Sequence, residues 1–324
     1  MVFLKFNLRA LRLCSGFFIL NLYKMKTKGI TRREFIKNTA VVTGAAVLTS
    51  AYPLRTEAAV NDLVALGRTG LKLSRIGIGT GTMGGTIQRS LSTAEFNSLM
   101  RYAYDRGIRY IDTAENYQTH SWVKDAIRGL PREDLFILTK MPRIPDNPEE
   151  TLDRYRRELG VDYLDTVLVH AVQTPDWDEE RKIVLDALEE AKARGIIRAH
   201  GVSCHSLTAL RKAAELDWVD VNLVRINPEG VKMDMLKPAR GVSSDESHVP
   251  GVVEQLKIMR NNGHGIIGMK IIGEGDFTRR ENREKSIRFA VQSGMVDAFT
   301  IGFKNTSEID EAIELTEKAL RDKG

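Results

Sequence analysis

The chain has 324 residues, 42% of them hydrophobic and 28% charged, which is the make-up of a globular protein with one large domain or two small ones. The formal net charge of +5 first points to an anionic partner, but residues 1–57 hold ten basic and two acidic residues and leave 38 basic and 41 acidic in the rest. That near balance removes nucleic acid as an expected partner, and two cysteines, Cys14 and Cys204, are too few for a disulfide scaffold or an iron–sulfur cluster.

In chain order, the first feature is Thr31-Arg32-Arg33-Glu34-Phe35-Ile36-Lys37, followed by an apolar run from Thr39 to Ala51. An arginine pair, a Phe two residues on and then a Lys resemble a twin-arginine export signal, and the apolar run is too short to span a bilayer. Residues 1–57 are therefore expected to be a leader read by the twin-arginine (Tat) export machinery. Met25 is the start that would give it the more usual shape, and cleavage is expected after Ala51 or at Ala58-Ala59. Residues 58–324 are the expected mature chain, periplasmic or otherwise extracytoplasmic, with no stable membrane span.

Leu66-Gly67-Arg68-Thr69-Gly70-Leu71-Lys72-Leu73 predicts a hairpin. After it, short β-branched runs alternate with amphipathic stretches. Strands are expected at Ile76 to Thr80, Tyr110 to Thr113, Leu135 to Lys140, Tyr163 to His170, Ile197 to Cys204, Val219 to Asn227, Gly265 to Ile272 and Val296 to Gly302. Helices include Thr93 to Arg106, Asp178 to Arg194, Val249 to Asn262 and Ser307 to Arg321. Eight strand–helix pairs in about 250 residues predict an α/β fold, a (β/α)8 TIM barrel whose floor the N-terminal hairpin closes. The glycine-rich run Gly77 to Gly84 then reads as a strand end and its loop, not as the phosphate turn of an open sheet.

Chemistry in such a barrel sits at the C-terminal ends of the strands, which here carry Asp112, Lys140, His170, Ser203 and Lys270. Each has an ordinary reading: Asp112 as a helix cap, Lys140 as a solvated rim charge, His170 as a core histidine. The set is what carries weight. Asp112-Thr113-Ala114-Glu115-Asn116-Tyr117, Leu138-Thr139-Lys140 and Leu168-Val169-His170, together with Leu66 to Thr80, Gly195 to Ser203 and Ile301-Gly302, resemble the aldo-keto reductase family from about Leu63 to Ala319.

The resemblance implies a nicotinamide-dependent oxidoreductase acting on an aldehyde, a ketone or the corresponding alcohol. It implies Asp112, Tyr117, Lys140 and His170 as the catalytic set, with Tyr117 as general acid, Asp112 holding Lys140, and His170 aiming the carbonyl. An ammonium beside a phenol is expected to lower the phenol's pKa. For the cofactor the resemblance implies Ser203, Cys204, Met269, Lys270, Gly302, Phe303, Lys304 and Glu308. Cys204 stands where the family commonly has Asn, Leu223 where it has Gln, and Met269 where it has an aromatic platform. Lys270 would meet the pyrophosphate, and Glu308 replaces an arginine that many members use for the 2′-phosphate. Both NADP and NAD stay open, with family usage leaning to NADP.

Two other functions remain compatible with the residues: a Schiff-base lyase or aldolase built on Lys140 or Lys270, and a non-catalytic nucleotide-binding barrel. No metal site is expected from His200, Cys204 and His205, because a strand points the two histidines to opposite faces. Trp122 and Trp218 belong to the mouth or to packing seams, and Glu229 to Val249 reads as an insertion over the mouth.

Overall fold

The computed structural model describes residues 62–233 and 244–323. The expected leader, its cleavage sites and residues 234–243 of the insertion lie outside the described residues. β1 (Leu63–Ala65) and β2 (Lys72–Ser74) form an antiparallel hairpin. The barrel follows as β3 (Ile76–Gly79), β4 (Tyr110–Asp112), β5 (Phe136–Met141), β6 (Leu164–Val172), β7 (Ile197–Cys204), β8 (Val221–Arg225), β9 (Gly265–Met269) and β10 (Ala298–Ile301). These eight strands are parallel, each pairs with its successor, and β10 returns to pair with β3, so the sheet closes.

Every expected strand is present, and β7 matches to the residue. β9 ends at Met269, short of the expected Ile272, because Lys270 takes a left-handed φ of 62° and starts the turn Gly273–Gly275. The expected helix Asp178 to Arg194 is divided into Trp177–Glu180 and Lys182–Ala193. Polar signals set helix starts: Ser92 and Glu95 form a reciprocal capping box, and Asn147 caps a helix with Pro148 at its first position.

Strand alternation divides the core into two layers. Tyr110, Phe136, Leu138, Leu168, Ala199, Val221, Leu223, Ile267 and Ala298 fill the barrel interior, and the hairpin's Leu66, Leu71 and Leu73 join them as the floor. Burying three leucines stabilises this closure by about 1.5–3 kcal/mol each. The hairpin lies so close to the rim that a Cβ on Gly67 would come within 2.3 Å of the Gly265 nitrogen, and Arg68 N–H donates to the Gly263 carbonyl at 2.7 Å. The opposite strand faces, with Val202 and Cys204 among them, pack against the helices. No helix of the described residues is long and apolar enough to cross a membrane.

Candidate active site

The strand ends bring the four expected catalytic residues together. Lys140, buried in β5, places its ammonium 2.7 Å from Asp112 Oδ1, 2.9 Å from the Thr113 carbonyl and 3.5 Å from Tyr117 Oη. The other Asp112 oxygen accepts from Tyr110 Oη at 3.0 Å. His170 meets the Tyr117 ring edge-on at 5.7 Å between centroids, and His205 continues the row at 5.9 Å from His170. Arg225 donates to His205 Nδ1 at 2.8 Å.

Local backbone puts these groups in place. Tyr117 ends the short turn Glu115–Tyr117, which Gln118 leaves with φ 58°. His170 sits where the β6–β7 register slips between Val169 and Val172, with Ala171 at φ 57°. Such a slip re-aims the side chain beside it. Six non-glycine residues of the described chain have left-handed φ: Met83, Gln118, Ala171, Lys232, Lys270 and Glu274. All six lie at or beyond the C-terminal ends of barrel strands, so backbone strain is concentrated at the mouth.

Burial decides the protonation states. It raises the Tyr117 phenol above its ordinary value, and Lys140 offsets only part of that rise. The expectation of a net lowering is therefore corrected, because desolvation of the phenolate outweighs one ammonium at 3.5 Å. Burial would depress Lys140, but Asp112 and Tyr117 more than compensate and keep it charged. Burial, with Lys140 and Arg225 nearby, holds His170 well below its usual pKa, so the imidazole is neutral. Its Nδ1 is buried without a hydrogen-bond partner.

A cavity of about 460 Å³ runs from Asp112 and Tyr117 to the start of the last helix, Thr306–Arg321. Met269, Lys270, Gly302, Phe303, Lys304 and Glu308 line it, as six of the eight expected cofactor residues. Ser203 does not line it. It faces the barrel axis beside Leu223, fully buried, with an Oγ that has no partner. Cys204 faces outward into the strand–helix layer, which takes its side chain away from the mouth, and Leu223 is a buried interior residue. Trp218 stacks on His200 and Trp122 packs on Phe96, so both fill seams. His200 stands in the outer layer and His205 at the mouth, on opposite sides of the barrel wall.

A dinucleotide fits this arrangement: the volume lies within the range of about 300–1,000 Å³ usual for small-molecule sites, and Thr300 Oγ1, on the cavity lining, is a buried hydrogen-bonding atom without a partner. Lys270 is paired with Glu274 at 2.6 Å, and the same Glu274 oxygen accepts from the Met83 N–H at 3.1 Å. Sequence reasoning missed Glu274, Thr300, Arg283 and Glu311, all of which line the cavity. Nothing in their local sequence marks them. Arg225, in contrast, ends an apolar strand as Lys140 and His170 do, and that signal was available.

The aldo/keto reductase family model matches residues 75–318. The 9,11-endoperoxide prostaglandin H2 reductase of Trypanosoma cruzi is 32% identical over 239 residues, 70% of this chain and 77% of that protein. The L-galactose dehydrogenase of Arabidopsis thaliana is 24% identical over 231 residues, 68% of each protein. The chain spans about half the length of several other curated relatives that it matches. In fold, it superposes on the holo form of an aldo-keto reductase from Bacillus halodurans with a TM-score of 0.62 at 15% identity, covering 81% of this chain and 96% of that one. On the matched length and the barrel together, the chain belongs to the aldo/keto reductase family and is an NAD(P)-dependent oxidoreductase.

Proposed function

We propose that the barrel mouth interconverts an aldehyde or ketone and its alcohol with Tyr117 as the proton-transferring group. The observation that carries this reading is the contact of Tyr117 Oη with an ammonium that Asp112 keeps buried and charged. A bound nicotinamide would supply the hydride to the carbonyl carbon in reduction and accept it in oxidation. Tyr117 Oη gives its proton to the carbonyl oxygen during reduction and takes it back during oxidation. The phenol is protonated at neutral pH and can donate, and Lys140, the charge that pulls against the burial-driven rise in its pKa, stabilises the phenolate that remains. Neutral His170 orients the carbonyl by hydrogen bonding.

Ser203 would hold the carboxamide from the axis side, and Met269 would offer the ring a polarisable surface. Lys270 would meet the pyrophosphate once its pair with Glu274 opens. At the far end the cavity is lined by Glu308 and Glu311, and Arg283 is already forked onto Glu311 at 2.5 and 3.0 Å. Glu311 is neutralised by Arg283, so Glu308 is the carboxylate that favours NAD(H), whose free ribose hydroxyls can donate to it, while Lys304 on the same lining pulls toward the NADP(H) that family usage leans to.

Both candidate imine lysines are engaged, Lys140 by Asp112 and Lys270 by Glu274, which counts against the lyase reading. Residues 1–57 act in this proposal as a Tat leader that delivers residues 58–324 outside the cytoplasm. Replacing Arg32 and Arg33 with Lys should then retain the protein in the cytoplasm.

The test is titration of the purified chain with NAD and NADP by calorimetry, followed by turnover of a panel of aldehydes and ketones by wild type and Tyr117→Phe. Binding with turnover that Tyr117→Phe loses supports the reading. Binding without turnover leaves the non-catalytic barrel, and a borohydride-trapped adduct would move the lysine chemistry to first place.

A further inference from the structure

The turn that carries Tyr117 has almost nothing of its own to hold it. Glu115–Tyr117 is a single 3-10 turn with no side-chain cap at Ala114, and a three-residue turn is too short to be stable alone. Its position must come from contacts outside it. On the barrel side, the Tyr117 carbonyl accepts from Arg89, and the Thr119 hydroxyl bonds those of Thr80 and Thr113 at 2.8 and 3.0 Å.

On the outer side the turn is held through Glu115. One carboxylate oxygen accepts from Arg154 at 2.5 Å and the other from Tyr155 Oη at 2.8 Å. Arg154 and Tyr155 belong to the helix Pro148–Leu159, and so does Glu158, which Arg154 also meets at 2.9 Å. Glu158 accepts from His120 Nδ1 at 2.8 Å, and His120 Nε2 lies 2.8 Å from Thr139 Oγ1, on the residue preceding Lys140. Burial keeps His120 neutral, so Nδ1 donates to the carboxylate and Nε2 accepts from Thr139. A single helix thereby grips both the turn bearing Tyr117 and the strand bearing Lys140.

The gap these elements define is delicate. At 3.5 Å the phenol and the ammonium are at the outer limit of a hydrogen bond, where a small displacement breaks the contact. We propose that Glu115, clamped by Arg154 and Tyr155, is a positioning residue that fixes the separation of Tyr117 Oη from Lys140 Nζ. This rests on the reading of Tyr117 as the proton-transferring group. Glu115 is not among the residues that line the cavity, and its carboxylate bonds Arg154 and Tyr155, so its effect is exerted through the turn.

The experiment compares full-length wild type, Glu115→Ala, Glu115→Gln and Tyr155→Phe by two readouts. The first is the ionisation of Tyr117, taken as the tyrosinate absorbance of each protein minus that of its Tyr117→Phe counterpart. The second is kcat and KM on a carbonyl substrate. Glu115→Ala should raise the Tyr117 pKa by about one unit and lower kcat about tenfold with KM nearly unchanged. Glu115→Gln, which still accepts from Tyr155, should recover part of both losses. If Glu115→Ala does not fold, Tyr155→Phe removes one of the two clamps and should shift both readouts in the same direction. Folded variants with wild-type Tyr117 ionisation and kcat overturn the proposal, even if their Tm falls. A wild type that turns over no carbonyl defeats the functional reading instead, and the tyrosinate titration still reports on the clamp.

Discussion

Lys140 and Asp112 form an ion pair at 2.7 Å with side chains only 1% and 5% exposed, so neither charge can be removed without stranding the other in the barrel. Breaking a buried pair from one side costs about 3–5 kcal/mol. Lys140→Met should therefore lower stability by about that amount in a denaturant titration. The double variant Asp112→Asn/Lys140→Met should regain much of the loss. Turnover should stay absent in both, because the double variant restores charge balance and not the ammonium at Tyr117. A double variant no more stable than Lys140→Met would show that the pair does not carry the cost.

Glu308 lines the far end of the cavity with its carboxylate accepting from the Lys304 N–H at 2.8 Å, while Asn305 Oδ1 accepts from the Glu308 N–H at 3.0 Å. Glu308→Arg exchanges a repelling charge for an attracting one. The ratio of NADP to NAD affinity, measured by calorimetry, should rise by about tenfold or more, equivalent to about 1.4 kcal/mol. An unchanged ratio would place the 2′-position away from this residue. A small loss of stability should accompany the change, since Glu308 completes the cap of the last helix.

Five histidines, His120, His170, His200, His205 and His264, have folded pKa values below the ordinary histidine value, and burial is the leading cause at each. The unfolded chain therefore binds protons more readily than the folded one once the pH falls below about 6.5. The stability these neutral rings support is fully present above that pH and is lost as the pH drops toward their folded values. Each contributes a slope of up to about 1.4 kcal/mol per pH unit in that window. Unfolding free energies measured from pH 7.5 to pH 5 should fall steeply, and His200→Gln should reduce the slope. A flat profile would show that the rings protonate without cost.

Gln118 leaves the Tyr117 turn at φ 58°, where a side chain costs about 1–2 kcal/mol relative to glycine. Its side chain is exposed and makes no hydrogen bond among those of the described residues, so little opposes its removal. Gln118→Gly should raise Tm with little change in kcat, because Arg89, Glu115 and Thr119 hold the turn independently. A lower Tm would mean that the added freedom of the unfolded chain outweighs the relieved strain.

Much of the fold was legible because its signals are local. A run such as Thr166-Val167-Leu168-Val169 has to be a strand buried on both faces, and Ser92 with Glu95 has to start a helix. The catalytic candidates were legible for a related reason: Asp112, Lys140 and His170 are ionisable groups at the ends of apolar strands. Cys204 shows where such reading fails. It follows Ser203 in sequence, and strand alternation sends the two side chains to opposite sides of the barrel wall. Glu274 shows the converse, a residue with no local signature that reaches both Lys270 and the Met83 backbone only because β9 ends early at a left-handed residue.

By itself, then, the sequence determined the barrel, its hairpin floor and the identity of the groups presented at the mouth, since periodicity, caps and strand ends are written within a few residues of each other. Tertiary structure decided the rest: that burial pushes the Tyr117 phenol above its ordinary pKa, that His170 is neutral, and that the cavity reaches Glu308 and Glu311. Those properties depend on desolvation and on distances between residues far apart in the chain. Such quantities exist only once the eight strands have closed on one another.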